Sequence, residues 1–243
     1  KSMDDFPLLY NFPVEINEEP YNLCIVFVDG YYEALLFNDE RIVIKSEDYR
    51  WVDSPMPNVK RVMFDRVGDE IARATSIVRY APFSEFSAHS HTGGEEFFVL
   101  EGVFSDEHQD YPKGSYVRNP IGTSHKPKVG KEGATIFVKL HQFSEADLSH
   151  KVIAMYAESW YQGLVEGLSV MPLHEFESEH VALVKWAPNT QFSSHRHWGG
   201  EEIFVIEGTF YDEHGTYPQG SWIRSPHLSQ HKPFTKDDGA LIY

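Results

Sequence analysis

Histidine and glutamate residues recur in this sequence at a spacing that suits a metal ion. Residues 89–95 read His-Ser-His-Thr-Gly-Gly-Glu, and another histidine, His125, follows further along the chain. Alternate side chains of a β-strand point to the same face, so His89 and His91 can bind one ion. The glycine pair permits a tight turn, after which Glu95 can return a carboxylate oxygen to the same point. Three imidazoles and one carboxylate suit a divalent transition metal (zinc, iron, manganese, nickel or cobalt) and leave one or two coordination positions open.

The same constellation occurs a second time. Tyr80–Phe137 matches Trp186–Tyr243 without a gap, so that residue n matches residue n + 106. Upstream the match continues more weakly at an offset of 109, with Trp51 facing Trp160. Copies of this length indicate a duplicated domain rather than a solenoid, and we expect one divalent metal in each copy. The second set of candidate ligands is His195, His197, Glu201 and His231.

Signals for strands and turns fill each copy. Runs of β-branched and aromatic residues are bounded by glycine, proline and aspartate, which is typical of a small all-β sandwich or barrel. We therefore expect an all-β protein with two barrels, over residues 41–145 and 146–243. Residues 1–40 form an N-terminal extension with two short apolar strands, Leu23 to Val28 and Ala34 to Phe37. Because the second copy stops at the match of Phe137, we expect an N-terminal strand to complete or cover the second barrel.

These motifs resemble those of the cupin family. The cupin pattern has six residues between a Glu and a Gly, as between Glu95 and Gly102 here, and its second part matches Gly114, Pro120, Gly122 and His125. The resemblance covers most of the chain and implies a bicupin, with two tandem jelly-roll-like (double-stranded β-helix) barrels.

Within the cupins, the string HxHxGGEExxVLEG resembles the cupin domain of the ChrR family of anti-sigma factors, where the matching residues hold zinc. This resemblance implies a metal-binding module that binds or senses a small molecule or an oxidant, with zinc preferred over iron, manganese or nickel. The sigma-binding half of such factors uses one His and two Cys. Residues 1–40 contain no His and only Cys24, which argues against direct binding of a sigma factor.

Two alternatives remain open at this point. The same subfamily resembles small metal-dependent dioxygenases, so a non-haem iron dioxygenase acting on diketones or hydroxyaryl ketones is the alternative function. A structural or storage bicupin would need no open coordination position. Every matched histidine inside the motif is used as a metal ligand, so the sequence offers no unambiguous general base, which favours binding over catalysis.

Other residues near the motifs are weaker candidates. Glu96 and Glu202 fall on the opposite face by strand alternation, where surface or interdomain hydrogen bonds are expected. Leu228 replaces Gly122 in the second copy, so we expect a tighter pocket and a different turn there. For the aromatic and basic candidates, core packing and salt bridges compete with substrate contact. These weaker candidates for the lining of the substrate pocket are Tyr80, Arg118, Trp186 and Arg224.

Composition limits the partners and the compartment. The chain has 21 basic and 37 acidic residues and a formal net charge of −16, which argues against nucleic acid and anionic membranes as partners. Its apolar runs fall short of the roughly 20 residues needed to span a bilayer. A single cysteine excludes an intrachain disulfide and fits a reducing compartment, so we expect a cytoplasmic protein with a small-molecule ligand. Pairing of sheet edges would permit a homodimer, although the acidic surface opposes it.

Overall fold

The computed structural model describes residues 40–67 and 72–243, together with the backbone of the strands at 8–16, 19–28 and 31–38. In the described residues no helix is long and apolar enough to cross a membrane. The strands in chain order are β1 (Leu8–Ile16), β2 (Glu19–Val28), β3 (Tyr31–Asn38), β4 (Ile42–Ile44), β5 (Val52–Asp53), β6 (Val59–Val67), β7 (Arg73–Tyr80), β8 (His89–Ser90), β9 (Glu95–Ser105), β10 (Asp110–Pro112), β11 (Ser115–Asn119), β12 (Ser124–His125), β13 (Lys128–Leu140), β14 (Lys151–Ala154), β15 (Tyr161–Gln162), β16 (Leu168–Phe176), β17 (Glu179–Trp186), β18 (His195–Arg196), β19 (Glu201–Asp212), β20 (Gly215–Pro218), β21 (Trp222–Ser225), β22 (Gln230–His231) and β23 (Ala240–Ile242).

The strands form two compact units. The copy-one unit contains Asp48–Trp160 and Met171–Val181, and the copy-two unit contains the described chain up to Glu47 together with Tyr161–Val170 and Ala182–Tyr243. These units differ from the predicted ranges, because parts of each copy belong to the other copy's unit.

The two large sheets have the same topology. Their strand orders are β14-β11-β9-β13-β7-β6-β5 and β4-β21-β19-β23-β17-β16-β15, with β10 and β20 paired to β9 and β19. A two-stranded sheet accompanies each, β8 with β12 and β18 with β22. The prediction of an all-β, two-domain, jelly-roll-like fold is confirmed. Within the described residues the hydrogen bonding leaves each large sheet open rather than closed into a barrel.

Strand β9, in the interior of the copy-one sheet, is buried on both faces in its first half. In β9, Phe97 and Val99 point into one core cluster together with Ile136 of the neighbouring strand. Phe98, between them, is equally buried and lies opposite Phe137 across the ladder. This two-sided burial explains why the sequence is continuously apolar here instead of alternating.

The edge strands β4 and β14 are exchanged between the copies. They occupy equivalent sequence positions, since Ile42 matches Lys151 at the offset of 109. Strand β14 pairs with β11 in the copy-one unit, whereas β4 pairs with β21 in the copy-two unit. An N-terminal strand therefore does complete the second sheet, but it begins at Ile42, just after the predicted extension. The extension's own strands, β1 to β3, pair with one another and include both predicted apolar segments.

Candidate metal centres

Short elements place the four predicted ligands of the first copy, here called site one, around one point. Strand β8 carries His89 and pairs with β12, so that His89 lies directly opposite His125. His91 follows β8, and the chain then turns through Gly94, whose φ of +78° suits glycine. A Cβ atom at Gly94 would collide with the ring of Phe143. The turn delivers Glu95 as the first residue of β9.

The ligand atoms of site one converge closely. All four lie within 4.8 Å of one another. The Nε2 atoms of His125 and His89 are 3.2 Å apart, and Glu95 Oε2 is 3.3 Å from His91 Nε2 and 3.6 Å from His125 Nε2. His89 is exposed whereas the other three are buried, so the cluster reaches solvent on the side of His89.

The electrostatics of site one suit a cation. Burial lowers the pKa of His91 to about 3 and, with the neighbouring imidazoles, that of His125 to about 4, so both are neutral at pH 7. Burial raises the pKa of Glu95 to about 7, against a hydrogen bond from the Asn119 amide. The buried Nε2 of His91 has no hydrogen-bond partner. Neutral imidazoles around a carboxylate, together with a buried nitrogen that lacks a hydrogen-bond partner, fit a divalent metal. The positive charge of such a metal would also stabilise the ionised form of Glu95.

Site two, in the second copy, repeats this arrangement with one difference. His195, His197 and His231 form a group whose ligand atoms lie within 4.8 Å of one another. Glu201 Oε2 lies 3.4 Å from His197 Nε2 and 3.5 Å from His231 Nε2, and it is buried without a hydrogen-bond partner. Three histidines thus form the tight group, and Glu201 contacts two of them. Burial again raises the pKa of Glu201 to about 7 and lowers that of His197 to about 4.

A carboxylate behind the third histidine of each site was missed by the sequence analysis. Asp212 Oδ2 accepts a hydrogen bond from His231 Nδ1 at 3.4 Å, whereas Asp106 Oδ2 faces His125 Nδ1 at 3.6 Å, just beyond hydrogen-bond distance. Both aspartates are buried. Such a carboxylate holds the imidazole in the tautomer whose Nε2 can bind a metal. The available signal was that these aspartates match at the offset of 106, as the ligands do.

Comparison with known families agrees with this geometry. The model of the ChrR cupin-like domain matches residues 39–144 and again residues 149–243. The chain belongs to the ChrR cupin-like family. The predicted bicupin architecture is thereby confirmed. Comparison with curated proteins finds no match.

Solved structures show how widely this cupin fold is shared. A Nostoc punctiforme protein proposed to be a dioxygenase is 17% identical, with a TM-score of 0.67 over 84% of this chain and 81% of its own. Oxalate decarboxylase from Lactobacillus farciminis is 13% identical, with a TM-score of 0.59 over 82% and 84%. The Escherichia coli pirin YhhW, solved with nickel(II), is 11% identical, with a TM-score of 0.55 over 84% and 97%. At these identities the likeness establishes the fold.

The turn before the third histidine corrects one expectation about the second cupin domain. Leu228 has a φ of +64°, in the same left-handed region as Gly122 at +88°. The backbone N–H groups of both residues donate to the carbonyl of the second ligand histidine, at 2.9 Å each. The prediction of a different turn is therefore wrong. The second copy keeps the turn and places a leucine in a backbone conformation that disfavours side chains.

The arginine candidates do not share the face of the ligands. Arg118 lies opposite Glu96 in register and is 1% exposed. It is ion-paired to Glu96 and Asp147, on the sheet face opposite to that of Glu95. Salt bridges rather than a substrate pocket account for Arg118. For Glu96 we expected surface or interdomain hydrogen bonds; the surface alternative is wrong, because this carboxylate is buried and also accepts a hydrogen bond from Tyr116.

The remaining candidates for the substrate pocket are one arginine of the second copy and two aromatic residues. Arg224 lies opposite Glu202 in register, at the position equivalent to Arg118. Tyr80 packs on Phe104 with ring centres 5.2 Å apart, and Trp186 packs on Phe210 at 5.4 Å. In each unit the aromatic candidate and its phenylalanine partner therefore form part of an aromatic wall. This wall reaches the third histidine: the ring centres of Phe104 and His125 are 6.2 Å apart, and those of Phe210 and His231 are 6.3 Å apart.

Proposed function

We propose that this chain is a metal-binding bicupin that binds a small oxygen-containing molecule, or responds to an oxidant, at its metal centres. The observation that carries the proposal is the clustering of three imidazoles in each unit, joined by Glu95 in site one and contacted by Glu201 in site two, with the edge of site one accessible at His89. His89, His91, Glu95 and His125 would hold one divalent metal, and His195, His197, Glu201 and His231 another. A bound metal of this type supplies a Lewis acid that polarises a coordinated carbonyl or carboxylate oxygen.

The residues around each cluster define what the protein itself contributes. Asp212, through its hydrogen bond to His231, and Asp106, once the 3.6 Å gap to His125 closes slightly, would hold the third imidazole in the ligating tautomer. The aromatic walls exclude water and offer an apolar surface to the carbon skeleton of a ligand. Every matched histidine of the two motifs belongs to a candidate ligand set, so among the described residues no unambiguous general base is assigned, and we propose binding without turnover as the first candidate.

Dioxygenation of a diketone or hydroxyaryl ketone is the second candidate. The specific observation in its favour is the aromatic wall beside each third histidine, which suits an aryl or alkyl ketone. Oxygenation would consume O₂ as the co-reactant. With only one cysteine in the chain, we place either function in the reducing cytoplasm.

Metal analysis and oxygen consumption distinguish the candidates. The full chain, purified without added metal, is examined by elemental analysis and then mixed with a panel of diketones and hydroxyaryl ketones. Zinc with ligand-dependent quenching of tryptophan fluorescence and no oxygen uptake supports the binding module. Iron with substrate-dependent oxygen uptake supports the dioxygenase. A chain that retains no transition metal after supplementation with zinc or iron contradicts both.

A further inference from the structure

A second cavity in the copy-one unit lies apart from the ligands of site one. Its volume is about 650 Å³, within the usual range for small-molecule pockets of about 300–1,000 Å³. None of the four candidate ligands of site one lines it. Its walls come from strands β5, β6, β7, β9 and β13 and from the loops that flank them.

A continuous row of side chains crosses the sheet beneath this cavity. Pairing registers place each member directly opposite the next on five successive strands. Residues directly opposite one another point to the same face, and all members line the cavity. The row reads Asp53, Lys60, Arg79, Thr135 and Glu101.

Two cations lie side by side in the middle of this row. Among the residues that the structure describes, Lys60 and Arg79 form no ion pair. The guanidinium carbon of Arg79 instead lies 4.3 Å from the centre of the Trp51 ring. Stacking restrains the guanidinium but leaves its in-plane N–H groups available to an anion. Like charges directly opposite one another destabilise a sheet, and a bound anion would relieve this repulsion.

The row is a property of the first copy rather than of the cupin fold. In the second copy Ser169 stands at the position of Lys60, and Leu241 at that of Thr135. Lys185 and Glu207 keep only the charges equivalent to Arg79 and Glu101. The duplicated sheet forms without the paired cations, so folding does not require them.

We propose that this cavity binds a small organic monocarboxylate with an apolar body. Its carboxylate accepts hydrogen bonds from Lys60 and Arg79, which are charge-assisted and therefore among the stronger ones. Met56, Pro57 and Pro82 line the cavity and contact the apolar body. The flanking carboxylates, together with Glu132, repel ligands of higher charge. The site therefore favours a single negative charge over phosphate or citrate.

Benzoate is the probe for this site. Metal is first stripped from the full chain with a chelator, and the chelator is then removed, so that binding at the metal centres does not contribute. Titration calorimetry measures affinity, and NMR of the methionine methyl groups locates the ligand. We expect saturable binding, with a shift of the Met56 methyl resonance and none for the buried Met155 or Met171. Citrate at matched ionic strength should bind more weakly.

Variants test the two cations separately. R79M and K60S, the latter taking the residue of the second copy, should each weaken benzoate binding about tenfold, because each removes one charge-assisted hydrogen bond. K185M, the equivalent change in the second copy, is the matched control and should leave the affinity unchanged. Absence of saturation, equal weakening by K185M, or citrate binding as tightly as benzoate would each overturn the proposal. Because these side chains are exposed, the variants are expected to fold.

Discussion

Replacing Asp106 by asparagine tests whether the carboxylate behind His125 tunes the metal centre. In the parent protein Asp106 Oδ1 accepts hydrogen bonds from the backbone N–H groups of His108 and Gln109, at 2.8 and 3.0 Å. Its Oδ2 accepts one from the Tyr111 hydroxyl at 2.9 Å and faces His125 Nδ1. Burial opposes ionisation, but these hydrogen bonds lower the pKa of Asp106, so the carboxylate is charged at pH 7.

Asparagine preserves the turn and changes the polarity at the histidine. The amide oxygen can replace Oδ1, whereas the amide NH₂ donates where Oδ2 accepted. His125 Nδ1 must then accept, which moves the imidazole proton to Nε2, the atom that faces the cluster. Loss of such a partner weakens metal binding 10- to 100-fold, or about 1.4–2.7 kcal/mol. D106N should therefore lower the zinc affinity of site one by this factor with little loss of apo-protein stability.

Competition with a chromophoric chelator measures this affinity, in an H197A background that disables site two. D212N in an H91A background is the matched variant for site two. It additionally breaks the 2.7 Å ion pair between Asp212 and Arg41, so it should also lower the apo-protein's unfolding free energy by about 1 kcal/mol. Unchanged zinc affinity in D106N would refute the tautomer argument. A loss explained entirely by unfolding of the apo-protein would refute it equally.

Three further predictions concern stability and are measured by urea denaturation. R118M should lower the free energy of unfolding by about 3–5 kcal/mol, because it leaves buried carboxylates without a counter-charge. R73M, which removes an exposed ion pair, should lower it by less than about 1 kcal/mol, and similar losses in both variants would contradict this. Burial raises the pKa of Asp147, but hydrogen bonds, chiefly from Arg118, lower it to about 2, below the ordinary value of 3.8. The ionised Asp147 therefore stabilises the folded protein by up to about 2 kcal/mol above pH 4, and this contribution is lost as the pH falls from 4 to 2. If a D147N variant shows the same pH dependence of unfolding free energy as the parent, Asp147 is not its source. G122L should lower the free energy of unfolding by about 1–2 kcal/mol because residue 122 has a left-handed φ, whereas L228G should leave it unchanged or raise it slightly. A loss above about 1 kcal/mol in L228G would mean that packing of the leucine side chain outweighs its backbone strain.

The clustering of the candidate metal ligands was predictable because their signal is local and repeated. His89 and His91 are brought together by strand alternation over three residues, and Glu95 by a glycine turn. His125 is distant in sequence, but its match to His231 at the same offset as the other ligands associated it with the set. Duplication thus supplied an internal comparison that replaced an alignment.

The role of Arg118 could not be predicted in the same way. Alternation correctly assigned Glu96 to the face opposite Glu95, but not whether that face was solvated. On that face Arg118 also donates hydrogen bonds to Asp147 and, at 3.1 Å, to Glu179, which lie 29 and 61 residues away in the sequence. Local periodicity carries no information about such distant partners.

By itself the sequence determined the all-β class, the duplication and the candidate ligand set, seven of whose eight residues meet in the two tight clusters, because strand alternation, turn chemistry and a gapless repeat are signals carried by short segments of the chain. Only the tertiary structure decided that β4 joins the second copy's sheet and β14 the first copy's, that Asp106 and Asp212 face the third histidines, and that Lys60 and Arg79 lie side by side in one cavity. Each of these depends on which strands become neighbours, and backbone hydrogen bonds between strands are nearly indifferent to side-chain identity. The choice of neighbour is therefore made by packing over the whole unit, which short patterns in the chain do not record.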